Sequence, residues 1–166
     1  MAVREILVHP DAGLKQTAQT VGQFDSALES FIIDLTDTLD AAPGCVGIAA
    51  PQVGHNEQII IIDVPAKKQI TAHGRLVLIN PEISEWDGSV TGREGCLSVP
   101  DFTGNVIRAE RVTVQAQDRT GDSRRYEFEG FEARVVQHEI DHLQGLLFLD
   151  RLVSRRTDLF RRKVYK

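Results

Sequence analysis

The distribution of apolar residues predicts an α+β domain. Two segments, 26–41 and 132–144, carry apolar side chains at helical spacing. Several shorter segments are β-branched runs or alternate with period two. These strand segments do not alternate regularly with helices, which argues against a doubly wound parallel sheet. At 166 residues the chain has the length of one domain, 1–166, with enough surface to bury to fold without staples.

The first helix is expected over 26–41. Leu28, Phe31, Ile32, Leu35 and Leu39 make one stripe. Ser26 and Glu29 have the spacing of a capping box, and Pro43-Gly44 ends the helix. The run QIIIIDV at 58–64 reads as a strand. RLVLI at 75–79 reads as another, closed by Asn80-Pro81. Residues 110–118 alternate, with Val112 and Val114 on one face. The turn Arg119-Thr120-Gly121-Asp122 leads into a second alternating stretch, 125–131, with Tyr126 and Phe128; the two form an antiparallel hairpin. A helix over 132–144 follows, with Val135, Val136, Ile140 and Leu143 apolar and Gly145 at its C′ position. The tail, 151–166, is expected to be a last, basic helix with Leu152, Phe160 and Val164 as its contacts.

Composition excludes several classes. With 42% hydrophobic and 26% charged residues the chain is not a disordered one. No apolar run approaches the roughly 20 residues of a membrane-spanning helix, so no membrane association is expected. The opening residues lack an apolar core followed by a small-residue cleavage site, so no signal peptide is expected. Two cysteines, Cys45 and Cys96, suit a cytoplasmic protein with reduced thiols and no disulfide partner. The net charge of −5 is uneven: seven Arg and Lys against one Asp give the tail +6, leaving −11 for residues 1–150. An acidic body with a basic tail points to a local electrostatic contact.

Three segments carry chemistry. In His138-Glu139-Ile140-Asp141-His142 the two histidines sit one helical turn apart, on one face, where both imidazoles can hold one metal ion. Glu139 is about 100° further round the helix, where it reaches a metal-associated water more readily than the metal itself. Two imidazoles need a third protein ligand. Downstream of His142 there is no Glu or His, only Asp150 and Asp158, so the third ligand is sought upstream. Glu94-Gly95-Cys96-Leu97-Ser98 supplies a thiol in a short polar stretch; Cys96 reads as a ligand, or as a buried structural cysteine. The third segment, 44–54, is rich in small residues that let a ligand approach the backbone, and Gln52 brings an amide donor. Tight packing of a turn beneath a sheet would produce the same pattern.

Taken in this order, the three segments resemble the peptide deformylase family, whose motifs are GxGxAAxQ, EGCLS and HExxH, often as HExDH. Here they stand at Cys45 to Gln52, Glu94 to Ser98 and His138 to His142. The likeness runs nearly end to end, including ILVHP at 6–10 and Ile79-Asn80-Pro81. It implies antiparallel sheets wrapped around the helix that bears HExxH. It implies one divalent metal held by Cys96, His138 and His142: Fe(II) physiologically, with zinc, nickel or cobalt as substitutes. The implied reaction is removal of the formyl group from nascent N-formylmethionyl peptides. Glu139 is then the proton shuttle, and Gln52 and the Leu97 backbone N–H hydrogen-bond the oxyanion. Cys45, Val46, Gly47 and Gly95 line the substrate site. Ribosome contact through the basic tail is a further expectation.

Two departures stand out. Cys45 occupies the family's first glycine. Thr103 stands where many members have an Arg, leaving Arg108 as a downstream cation. Asp141 and Glu94 each suit either a ligand-orienting role or a structural salt bridge. The competing readings are an HExxH peptidase, which needs a downstream ligand, and a non-catalytic binder of formylated chains or of the ribosome.

Overall fold

A computed structural model describes residues 2–65 and 72–162. Three helices and eight strands are present among them. The helices are α1 (Ser26–Asp40), α2 (Gly130–Leu143) and the single turn α3 (Arg155–Asp158). The strands are β1 (Gly47–Ala49), β2 (Ile59–Val64), β3 (Gly74–Asp87), β4 (Val90–Cys96), β5 (Val99–Arg108), β6 (Arg111–Gln117), β7 (Ser123–Glu129) and β8 (Leu159–Arg161). Every strand pair is antiparallel. Five strands form one sheet in the order β1-β2-β3-β6-β7, and three form another in the order β4-β5-β8.

The isoleucine run explains the layering. Ile59 to Ile62 are all fully buried, so β2 is covered on both faces. Ile60 and Ile62 pack in the cluster that holds Val135, Val136, Ile140 and Leu143 of α2. Ile59 and Ile61 pack with Leu28, Phe31, Ile32, Leu35 and Leu39 of α1. One helix therefore covers each face, and each buried isoleucine contributes about 1.5–3 kcal/mol. Val112 and Val114 of β6 and Phe128 of β7 face the α2 side, as their alternation predicts. A third cluster, with Val99, Val106, Leu147 and Phe148, lies against the smaller sheet.

Three local expectations are corrected, and one polar stretch without an assigned element is found to be strand. The N-cap of α1 is Asp25, whose carboxylate accepts from Leu28 N at 3.0 Å; it precedes Ser26 and already satisfies the exposed donor. Glu29 pairs with Arg119 instead. Strand β3 does not stop at Asn80-Pro81 but runs through it with a register shift between Ile79 and Glu82. Pro81 lacks a ladder donor and falls in this bulge. Asn80 takes φ +52°, and its amide bonds both backbone groups of Val21, which holds the irregularity in place. The polar stretch at 91–95 is strand, β4, paired along its length with β5. The tail is not one continuous helix: after the single turn α3 it extends as β8 and pairs with Phe102, Thr103 and Gly104 of β5. Of the contacts expected from that helix, Val164 lies outside the described residues, as does Lys163.

Helix α2 ends as expected. Gly145 has φ +75°, and a Cβ there would stand 2.5 Å from the carbonyl oxygen of Lys15. The left-handed backbone alone costs about 1–2 kcal/mol for a residue with a side chain. Gly145→Ala is therefore expected to lower unfolding free energy by at least that amount in a denaturant titration, and unchanged stability would contradict this account of the helix end.

Candidate active site

Helix α2 brings His138, Glu139 and His142 to one end of the large core, where the β4–β5 turn delivers Cys96. Cys96 Sγ lies 3.4 Å from His142 Nε2. The donor atoms of Cys96, His138 and His142 all fall within 4.8 Å of one another. Metal–sulfur and metal–nitrogen bonds of about 2.3 and 2.0 Å in a tetrahedron place such donors roughly 3.5 Å apart, so the trio fits one ion. The two downstream acids do not join it. Asp150 accepts from Leu147 N and Asp158 from Ser154 N.

The imidazoles are held so that the same nitrogen faces inward. His138 Nδ1 is 2.8 Å from Glu94 Oε1, and donation to that carboxylate leaves Nε2 free as a ligand. Glu94 itself is buried and fully engaged. Arg108 bonds both its oxygens at 2.9 Å, and Arg134 adds a third bond at 2.7 Å. Burial works to raise the Glu94 pKa; the bonds from Arg108 and His138 outweigh it and hold the carboxyl well below the usual range. Arg134 also bonds the carbonyls of Val90 and Val106, which ties α2 to β4 and β5. Arg108 continues to Asp141, which accepts from Arg151 as well. Glu94 thus orients the His138 ring, and Asp141 belongs to a structural ion-pair chain. Arg108 is enclosed within this network, which corrects the idea of a cation left for the cleft.

Glu139 is 2% exposed, and its Oε1 is 3.8 Å from His138 Nε2 and 3.9 Å from His142 Nε2. Its Oε2 has no hydrogen-bond partner among the described residues. Burial pushes its pKa up to about 7. For His142, burial pushes the pKa well down, toward the neutral form that ligates metal. Gln52 is fixed by Ala49 N, which donates to Oε1 at 2.9 Å. Its Nε2 then points at Ser98 Oγ (3.1 Å) and Cys96 Sγ (3.4 Å). The N-terminal segment braces both loops: Leu7 N donates to Gln52 O and His9 N to Ser98 O.

A cavity of about 410 Å³ opens beside these groups. Cys45, Val46, Gly47 and Gln52 form one wall, and Glu94 to Leu97 the other; Val135, His138 and Glu139 also line it. His142 stays beneath the lining. Gly47 leaves little room for a side chain: a Cβ would stand 3.0 Å from Glu139 Cγ and 3.1 Å from Val135 Cγ1, so those side chains would have to give way. Cys45 Sγ donates to Gly47 O at 3.2 Å, and burial raises its thiol pKa, so it stands in the wall as a neutral group. All ten residues predicted for the site gather here. Arg134 was missed, although a lone arginine between Ala133 and Val135, one turn before His138, was its signal.

A family profile, polypeptide deformylase, matches residues 3–158. The chain belongs to that family. It is an enzyme of that family, 44% identical over 166 residues to the peptide deformylase of Alkalilimnicola ehrlichii, covering 100% of this chain and 91% of the relative. Among solved structures, a peptide deformylase from Legionella pneumophila matches with TM-score 0.83 and 44% identity, covering 91% of this chain and 86% of that one. A Met-Ala-Ser-bound class I type b peptide deformylase from Acinetobacter baumannii matches with TM-score 0.85 and 35% identity over 91% and 99% of the two chains.

Glu94 is the testable support of the ligand set. Glu94→Gln is expected to weaken divalent-metal binding by about 10–100-fold, read by competition with a chromogenic chelator. Unchanged affinity would mean that His138 is oriented by something else.

Proposed function

We propose that this protein removes the formyl group from the N-terminal formylmethionine of nascent polypeptides, releasing formate. The observation that carries the proposal is a Cys/His/His cluster with an unpartnered glutamate oxygen beside it, at the edge of a cavity. A divalent cation held by Cys96, His138 and His142 would supply the Lewis acidity that makes water a nucleophile at neutral pH. One thiolate and two imidazoles suit iron, zinc, nickel or cobalt, and the family likeness favours Fe(II).

The chain's own residues do the rest. Glu139 takes the proton of the attacking water and returns it to the departing amine nitrogen. A carboxyl whose pKa is raised by burial is suited to both transfers, and a bound cation would draw it back toward the basic form. Gln52 Nε2 and the backbone N–H of Leu97 donate to the formyl oxygen as it gains negative charge. Gly47, at the exposed side of β1, lets a peptide lie along that strand, with Cys45, Val46 and Gly95 as close neighbours. An internal peptide bond is a poorer fit, because an HExxH peptidase draws a further ligand from downstream and the downstream acids here are bonded to backbone.

Cys96→Ala is expected to lose the metal and all turnover. Glu139→Gln is expected to keep the metal and lose about 10²–10⁴-fold in turnover of a formyl-Met peptide. Metal analysis and formate release on the same anaerobic preparations separate the two. A Glu139→Gln enzyme of near wild-type rate would overturn the assignment.

The reading includes contact with the ribosome through the basic tail. Arg155, Arg156 and Arg161 are exposed, although not on the single helical face that the composition suggested. Replacing these three with Glu is expected to abolish salt-sensitive co-sedimentation with ribosomes. Equal pelleting of both proteins would remove the tail from the reading.

A further inference from the structure

The smaller sheet presents one face to the cavity, and two arginines stand on it. Arg93 and Gly95 are two apart on β4, and Thr103 lies opposite Phe160 of β8. Period-two alternation puts Arg162 on the same side as Phe160. Its backbone is anchored there, with Arg162 N donating to Asp101 O at 2.8 Å.

Gly95 and the small Thr103 leave the space that the Arg162 side chain fills. A Cβ on Gly95 would stand 2.5 Å from Arg162 Nη2 and 3.4 Å from Thr103 Cγ2. Arg93 is fixed differently. Its guanidinium lies over the Phe160 ring at 3.7 Å and bonds Asn105 and Thr103. Both arginines line the cavity beside Gly95 and Cys96. Both are exposed, and among the described residues neither forms an ion pair. The arginines that do face carboxylates nearby, Arg108 and Arg134, already saturate Glu94. Two guanidinium groups without an ion-pair partner among the described residues therefore stand at the mouth of the cleft, with Asp101 on the same face of β5, two residues before Thr103.

We propose that Arg162, assisted by Arg93, selects peptides that carry an acidic side chain shortly after the N-terminal methionine. The proposal rests on the deformylase reading and adds a specificity to it. A guanidinium reads a carboxylate through two parallel N–H donors, which a lysine cannot reproduce. At an exposed rim such a contact is worth about two- to fivefold per charge.

The experiment uses C-terminally amidated peptides, so that side-chain carboxylates are the only peptide carboxylates present. Unformylated Met-Ala-Glu, Met-Ala-Gln and Met-Ala-Lys amides are titrated onto the metal-loaded protein, and the formylated set is assayed for turnover. Wild type is expected to bind Glu over Gln over Lys, with the same order in KM and a smaller spread at 0.5 M salt, roughly the ionic strength at which rim charges are screened. Arg162→Glu is expected to reverse the order, and Arg162→Lys to keep it with a smaller spread. Arg125→Glu carries the same change in net charge on β7, away from the cleft, and is expected to leave the order as in wild type, which separates a local contact from long-range steering. Metal content and melting curves check that each variant folds. Equal binding of the three peptides by wild type, or an unreversed order in Arg162→Glu, would overturn the proposal. If the binding order holds but no formylated peptide is turned over, the proposal stands and the deformylase reading falls.

Discussion

Everything at this site leans on one buried carboxylate. Glu94 sits on a strand, yet its partners come from β5 (Arg108) and from two positions of α2 (Arg134 and His138). It therefore joins the smaller sheet to the ligand-bearing helix. Burying a carboxylate is costly in isolation, and the four bonds that offset the cost are also the bonds that set the geometry. The thiol of Cys96, two residues further along the same strand, is held in register with the imidazoles because Glu94 is held. Structure and ligand orientation are served by the same atoms.

The larger sheet has a different task. With β2 buried on both faces between α1 and α2, it is a rigid wall, and β1 at its edge carries Gly47 and the turn to Gln52. The site is the seam between this wall and the smaller sheet. The N-terminal segment crosses that seam by bonding Gln52 O and Ser98 O. The β4–β5 turn and the short turn at Gln52 depart from regular structure within the site, and each is pinned by a side chain or by another backbone segment. Such bracing is what precise placement of reacting groups demands.

Much of this was legible in the chain. The stripe of α1, the isoleucine strand and the hairpin of β6 and β7 follow from apolar periodicity. The i,i+4 histidines announce a metal face without any fold. The failures have physical causes. Strand β4 reads Val-Thr-Gly-Arg-Glu-Gly-Cys, with little apolar content, because its buried members are a carboxylate and a ligand; pairing with β5 decides its conformation. The tail looks helical by composition, but Gly104 and Thr103 of β5 leave an edge onto which it extends. The capping of α1 was misread by one residue because Asp25 and Ser26 are both good caps. Arg134 stands out in the sequence, but its partners do not, because its three acceptors lie on β4 and β5, far away in the chain.

The close approach of Gly47 to Glu139 has a consequence for how such a chain can vary. The backbone of β1 and the carboxylate occupy adjoining volumes, and a methyl group on Gly47 would press on both Glu139 and Val135. A substitution at position 47 acts on the glutamate without touching the metal face, and a shorter acid at 139 would open the strand to side chains it now excludes. The two positions are therefore coupled: the effect of a change at one depends on which residue occupies the other. A mutational path that alters this wall of the cleft has to move through both, although 92 positions separate them in the sequence.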